Sequence, residues 1–137
     1  MSLVLDASAA LAWVFPDENT SAIHEVFEQI LEEFACVPSL WRIEVASTLS
    51  LAIRRKRFDL RSRDKALADL TALPIVEDPD TARNAWSETL ALADKHRLTL
   101  YDATYLELAL RLALPLATLD MDLRRAAQLE GLLLLGM

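Results

Sequence analysis

At 137 residues, 53% of them hydrophobic and only 2 of them glycine, the chain can bury a substantial core and is too apolar for a disordered tail or linker. One cysteine excludes an intramolecular disulfide and a cysteine-based zinc site, and two histidines leave little for an imidazole one. The net charge of -7 argues against a nucleic-acid partner only until its distribution is read: residues 1–41 hold seven acids and no Lys or Arg, whereas residues 42–65 hold eight basic residues against three acids.

In chain order, residues 3–5 read as a short buried strand ended by Asp6, with helical stretches at 7–14 and 19–34 separated by Pro16 and Asp17. The second stretch carries Ile23, Val26, Phe27, Ile30, Leu31 and Phe34 at spacings of three and four, a core-facing stripe. Residues 35–37 form a strand ended by Pro38. Ser39 then N-caps a long helix through about Arg57, and residues 61–73 are its helical partner. A strand at 75–76 precedes a helix from Pro79 or Asp80 to about His96, and another helix spans 101–112 and stops before Pro115. A strand at 116–118, a short helix at 123–129 and a last strand at 132–135, after Gly131, complete the chain. Strands alternating with helices predict an α/β protein, with a central parallel sheet, right-handed crossovers and helices on both faces.

Other residues fit that frame. Trp13, Phe15, Phe27, Phe34, Trp41, Trp86 and Tyr105 suit apolar faces in a core or interface, and Trp13 and Phe15 are also placed to stack on a base. Cys36 reads as a buried small hydrophobe, and His24 and His96 as surface or helix-end residues. There is no basic n-region before the first apolar run, and no segment reaches the ~18 uncharged apolar residues of a membrane span. We therefore expect a single domain over residues 1–137 in a reducing cytoplasm, without membrane association.

The acidic residues carry the functional signal. Asp6 ends the first apolar run, Glu44 interrupts an apolar helix, Asp102 opens another, and Asp120 with Asp122 closes the run 116–119. Carboxylates are rarely buried without a partner, and no basic residues stand beside these, so the missing partner reads as a cation. Ligands of open parallel sheets bind at the carboxyl ends of strands, where Asp6, Asp120 and Asp122 fall, and Glu44 and Asp102 can approach from helix starts. Oxygen donors without sulfur suit Mg²⁺ or Mn²⁺. Each acid also has an ordinary explanation as a helix cap: Asp6 for the helix at Ala7, Asp102 in a capping box with Thr99, and Asp120 for the helix at Leu123. Arg54, Arg55, Lys56 and Arg57 read either as a solvated helix C-terminus or as a patch that tracks phosphates.

Four segments in order, Leu5-Asp6-Ala7-Ser8-Ala9, Glu44-Val45-Ala46, Leu100-Tyr101-Asp102-Ala103-Thr104-Tyr105-Leu106 and Thr118-Leu119-Asp120-Met121-Asp122-Leu123, give the chain an almost end-to-end resemblance to the PIN domain, and within it to VapC-type toxins of bacterial toxin–antitoxin pairs. The resemblance implies a three-layer α/β/α fold, an acidic Mg²⁺ or Mn²⁺ site, ribonuclease activity on RNA, homodimerisation and inhibition by a cognate antitoxin. Matched residue by residue, Asp6, Glu44, Asp102 and Asp120 take the four acidic positions. Asp122 fits an accessory acid, and Ser8 and Thr118 fit supporting hydroxyls. Many relatives carry Asn one turn beyond the glutamate, where this chain has Ser47 and Thr48. The alternatives are a PIN-like module that binds without cleaving and an aspartate-based phosphatase. The phosphatase needs a second Asp two residues after the first, where this chain has Ser8.

Overall fold

The computed structural model describes residues 2–137. Five strands, β1 (Leu3–Leu5), β2 (Ala35–Val37), β3 (Ile75–Glu77), β4 (Leu116–Ala117) and β5 (Leu134–Leu135), form one sheet in the order β3-β2-β1-β4-β5, every neighbouring pair parallel. Chain order runs outward from β1 to β3 on one side and from β4 to β5 on the other, so the switch point falls between β1 and β4. The residues of β1 and β4 are wholly buried, as a sheet covered on both faces requires.

The covering comes from α1 (Ala7–Val14), α2 (Ser21–Glu32), α3 (Trp41–Arg54), α4 (Leu60–Thr71), α5 (Thr81–Asn84), α6 (Glu88–His96), α7 (Leu100–Leu112) and α8 (Met121–Leu129). The result is the expected three-layer α/β/α arrangement. Within it α7 lies on β1 and β4 with α6 and α8 against it, while α1 packs on α2 and α3. Thr20, Asp59, Thr99 and Asp120 start their helices by accepting from the amide three residues on.

Several sequence expectations are corrected. Ser39 does not cap α3, which starts two residues later behind Leu40; its amide donates instead to Thr81 Oγ1 at 3.0 Å. The same helix stops at Arg54 rather than Arg57. Lys56 turns left-handed (φ 58°), and the amides of Lys56 and Arg57 fold back onto the carbonyls of Ile53 and Ala52. The helix expected up to His96 is two, α5 and α6. Asn84 Nδ2 bonds the Asp80 carbonyl and Ser87 Oγ the Asn84 carbonyl, so side chains compete for the backbone at the break.

Leu31 and Phe34 leave the buried stripe of α2, which is Ile23, Val26, Phe27 and Ile30, because Leu31 turns past that face and Phe34 lies beyond the helix end. Trp86, on the turn between α5 and α6, is 92% exposed rather than packed. Cys36 is buried in β2 as expected. His96 does end α6, but it is buried, with Nε2 2.7 Å from Glu130 Oε2 of α8. Among the described residues no helix is long and apolar enough to cross a membrane.

Candidate metal site

Parallel pairing of β1 with β4 brings Asp6 beside the segment that follows β4, and the Asp6 amide donates to the Ala117 carbonyl at 3.0 Å. Asp6 stands at the cap position of α1, yet its carboxylate makes no capping bond. Oδ2 instead accepts from the hydroxyls of Ser8 at 2.6 Å and Thr118 at 2.7 Å. The same hydroxyl oxygens accept from the backbone across the switch point, Ser8 from the Leu119 amide and Thr118 from the Asp120 amide, both at 3.0 Å. Ser8 and Thr118 therefore lock the β1–α1 junction to the β4–α8 junction. Asp120 does cap its helix, Oδ1 accepting from the Leu123 amide at 2.9 Å. Arg124, one turn into α8, donates to the carbonyls of Thr118 (2.7 Å) and Leu135 (3.0 Å) and so fixes the ends of β4 and β5.

Glu44 enters from the first turn of α3 and Asp102 from the first turn of α7. Thr99 accepts from the Asp102 amide at 3.1 Å, so the hydroxyl that caps α7 belongs to Thr99. Tyr105, one turn further along α7, donates its hydroxyl to Glu44 Oε1. Asp6, Glu44, Asp102 and Asp120 line one cavity of about 270 Å³, and Thr48 lines it too, whereas its neighbour Ser47 does not.

The remaining candidates are spread more widely. Asp122 has a side chain 78% exposed and lies outside the cavity lining. Arg54, Arg55 and Lys56 are exposed and also lie outside it. Arg57 reaches the cavity because of the left-handed turn at Lys56. It donates to Asp17 at 3.1 Å and Glu18 at 2.8 Å, with its guanidinium carbon 4.1 Å from the Phe15 ring centroid. Two contributors escaped sequence reasoning. The sequence places Tyr105 in packing, although its spacing from Asp102 is a usable signal, and it carries no signal for Arg124.

The electrostatics separate this cluster from a second acidic one. Burial pushes Asp6 from its ordinary 3.8 up to about 6, the Ser8 and Thr118 hydroxyls pull against that, and the charges of Glu44 and Asp120 add to it. Asp102 is likewise raised to about 6 by burial and by the charges of Asp120 and Asp6. Burial raises Glu44 as well, against the bond from Tyr105.

Asp78, directly after β3 and equally buried, behaves in the opposite way. Burial would raise it, but bonds from Arg111, the Asp80 amide and Thr81 hold it below the usual carboxylate range. Arg111 meets Asp78 through two bonds (3.1 and 2.7 Å) and Glu107 at 2.8 Å. The fold thus gives Asp78 and Glu107 an internal cation, whereas burial is the largest influence on Asp6 and Asp102 and the charges that act on both are those of other acids.

That donor set, four carboxylates at one switch point, fits a hard divalent cation such as Mg²⁺ or Mn²⁺. The bonds from Ser8 and Thr118 both fall on Oδ2 of Asp6 and the capping bond on Oδ1 of Asp120, so each keeps its other oxygen for a ligand. The groups line the cavity wall, and among the described residues no three of them converge on one point. Mutual repulsion between like charges in a buried site favours such spreading.

A doubly wound α/β fold with an acidic crevice at its switch point is therefore the class that sequence and geometry define. The PIN domain model matches residues 3–129, and the chain belongs to the PIN-domain family. It is 32% identical over 127 residues to Ribonuclease VapC3 of Pyrobaculum aerophilum, an alignment that covers 90% of this chain and 92% of that protein. The crystal structure of PAE2754 from Pyrobaculum aerophilum is similar with a TM-score of 0.72 and 24% identity, over 98% of this chain and 83% of that one. VapBC2 from Rickettsia felis, bound to a DNA fragment from their promoter, gives a TM-score of 0.63 at 14% identity, over 98% and 97% of the two chains. FitAcB from Neisseria gonorrhoeae gives 0.64 at 15%, over 98% and 96%. At these identities the solved structures speak for the fold.

Proposed function

We propose that the protein is a metal-dependent endoribonuclease, the toxin of a VapBC-type toxin–antitoxin pair. The observation that carries this reading is the cavity at the switch point, which Asp6, Glu44, Asp102 and Asp120 all line and where Asp6 and Asp102 are held near a pKa of 6. Family membership and the relative named a ribonuclease support RNA as substrate. Asp6, Asp102 and Asp120 would hold Mg²⁺ or Mn²⁺ directly. When bound, such an ion supplies a water of lowered pKa and charge stabilisation at a phosphate. Glu44 would bind the ion through a water or serve as the base for one. Ser8 and Thr118 hold Asp6 in place by the bonds described above. Without a cation the acids would repel a phosphodiester, so substrate binding itself depends on loading the site.

RNA cleavage by the purified protein with Mg²⁺ or Mn²⁺, and none with EDTA, is the direct test. Cleavage that persists in EDTA would remove the metal from the mechanism. Failure to cut RNA with either metal would leave the binding-only reading.

The basic stretch divides into roles. Arg57 stands at the rim of the cavity and is the residue to hold a phosphate next to the one cut, while Arg54, Arg55 and Lys56 track phosphates further out. Arg57→Ala is expected to raise KM about 10-fold, the loss of one charge-assisted bond, and to reduce the slope of log affinity against log salt by about 1. Binding measured at several salt concentrations checks this. Stability should change little, because the ion pairs to Asp17 and Glu18 are exposed. A cognate antitoxin is the expected protein partner and a homodimer the expected assembly. Co-expression followed by size-exclusion chromatography reads both.

A further inference from the structure

Tyr105 is wholly buried, and a buried phenol needs a partner for its hydroxyl. Its partner is the carboxyl group of Glu44, and the backbone amide of Ala7, next to Asp6, acts on the same oxygen. Asp102 and Tyr105 are three residues apart in α7 and so share a helix face. One hydroxyl therefore stands where three acid-bearing segments meet: the β1–α1 junction, the first turn of α3 and the first turn of α7. Glutamate is long and loses considerable rotamer freedom when fixed. A bond to Oε1 fixes the carboxylate and leaves Oε2 for a ligand.

We propose that Tyr105 is a positioning residue of the divalent-cation site, orienting Glu44 through its hydroxyl so that Oε2 faces the ion or its water. The inference rests on the metal-site reading above. Partners that orient ligands in this way change metal affinity by about 10- to 100-fold when removed. Packing alone makes no such demand, since phenylalanine would fill the same volume.

The test titrates Mn²⁺ alone into metal-free protein by calorimetry, comparing wild type, Tyr105→Phe, Glu44→Gln and the double variant, with a thermal melt of each. Tyr105→Phe is expected to bind Mn²⁺ about 10-fold more weakly than wild type. The double variant should bind no more weakly than Glu44→Gln, because the hydroxyl acts through that carboxylate. Binding by Tyr105→Phe within twofold of wild type, or an equal loss in both backgrounds, overturns the proposal. Failure of wild type to bind Mn²⁺ overturns the metal-site reading itself, without reference to Tyr105.

A second measurement leaves Tyr105 in place. The chain has 2 tyrosines, so in Tyr101→Phe protein the near-ultraviolet tyrosine signal belongs to Tyr105. Mg²⁺ is expected to perturb it with Glu44 present and not with Glu44→Gln. No perturbation in either also overturns the proposal.

Discussion

Asp6→Asn is expected to abolish RNA cleavage while making the metal-free protein more stable at pH 7.5. The loss of activity should be on the order of 10³-fold, since a charged group placed to stabilise the reacting centre is removed. The gain in stability follows from the raised pKa. Asp6 is 5% exposed, and the difference between 3.8 unfolded and about 6 folded corresponds to about 3 kcal/mol against the charged form. Because the folded value is the higher one, the penalty is absent below about pH 3.8, grows as pH rises toward 6, and is complete above that. Asn escapes it, and its Oδ1 can still accept from Ser8 and Thr118, so a net gain of ~1–3 kcal/mol is expected. Urea denaturation of metal-free wild type and variant at pH 5 and pH 7.5 measures the effect: the two should differ more at pH 7.5. A variant that cuts RNA like wild type would reduce Asp6 to a structural residue.

Arg111→Met should have the opposite character. It removes the one guanidinium bonded to both Asp78 and Glu107, whose side chains are only 5% and 6% exposed. Breaking a buried pair in this way costs about 3–5 kcal/mol, because the carboxylates remain without a partner. The lowered pKa of Asp78 gives stability above its unfolded value of 3.8 that is lost as pH falls through the folded value, so wild type carries this contribution at neutral pH. A drop in melting temperature of roughly 10 °C is expected. Adding Asp78→Asn and Glu107→Gln to Arg111→Met should recover most of it, since neutral amides cost less to bury than unpaired charges. A drop under about 1 kcal/mol would mean that the network contributes little. The two buried aspartates thus serve different ends: Asp78, with its internal cation, ties the β3–α5 turn to α7, and Asp6 spends stability on a site for an external one.

The alternation of buried strands and amphipathic helices was legible in the amino-acid order, because periodicity and caps are local. β1, α1 and β2 have the boundaries read from sequence, and Thr99 and Asp120 cap where their types suggested. The Ser39 cap, the length of α3 and the unbroken helix up to His96 were misread for one shared reason. Each turned on where a hydroxyl or amide side chain, or one left-handed residue, directs its bonds, and Ser39's partner is 42 residues away.

By itself the sequence determined the class of the fold and singled out four of the five acids that line the cavity, all but Glu18, since a charge amid apolar residues is unusual wherever it occurs. Only the tertiary structure decided which acids lack an internal partner. Asp78 and Glu107 look no different from Asp6 and Glu44 in the chain until Arg111 is seen to reach both. The tertiary structure also turned Asp6 away from capping toward Ser8 and Thr118, left Asp122 exposed, and brought Arg57 alone of its basic run to the cavity. Tyr105 became part of the site in the same way. Pairing across the switch point joins residues over a hundred positions apart, and burial and charge neighbours exist only once those strands have met.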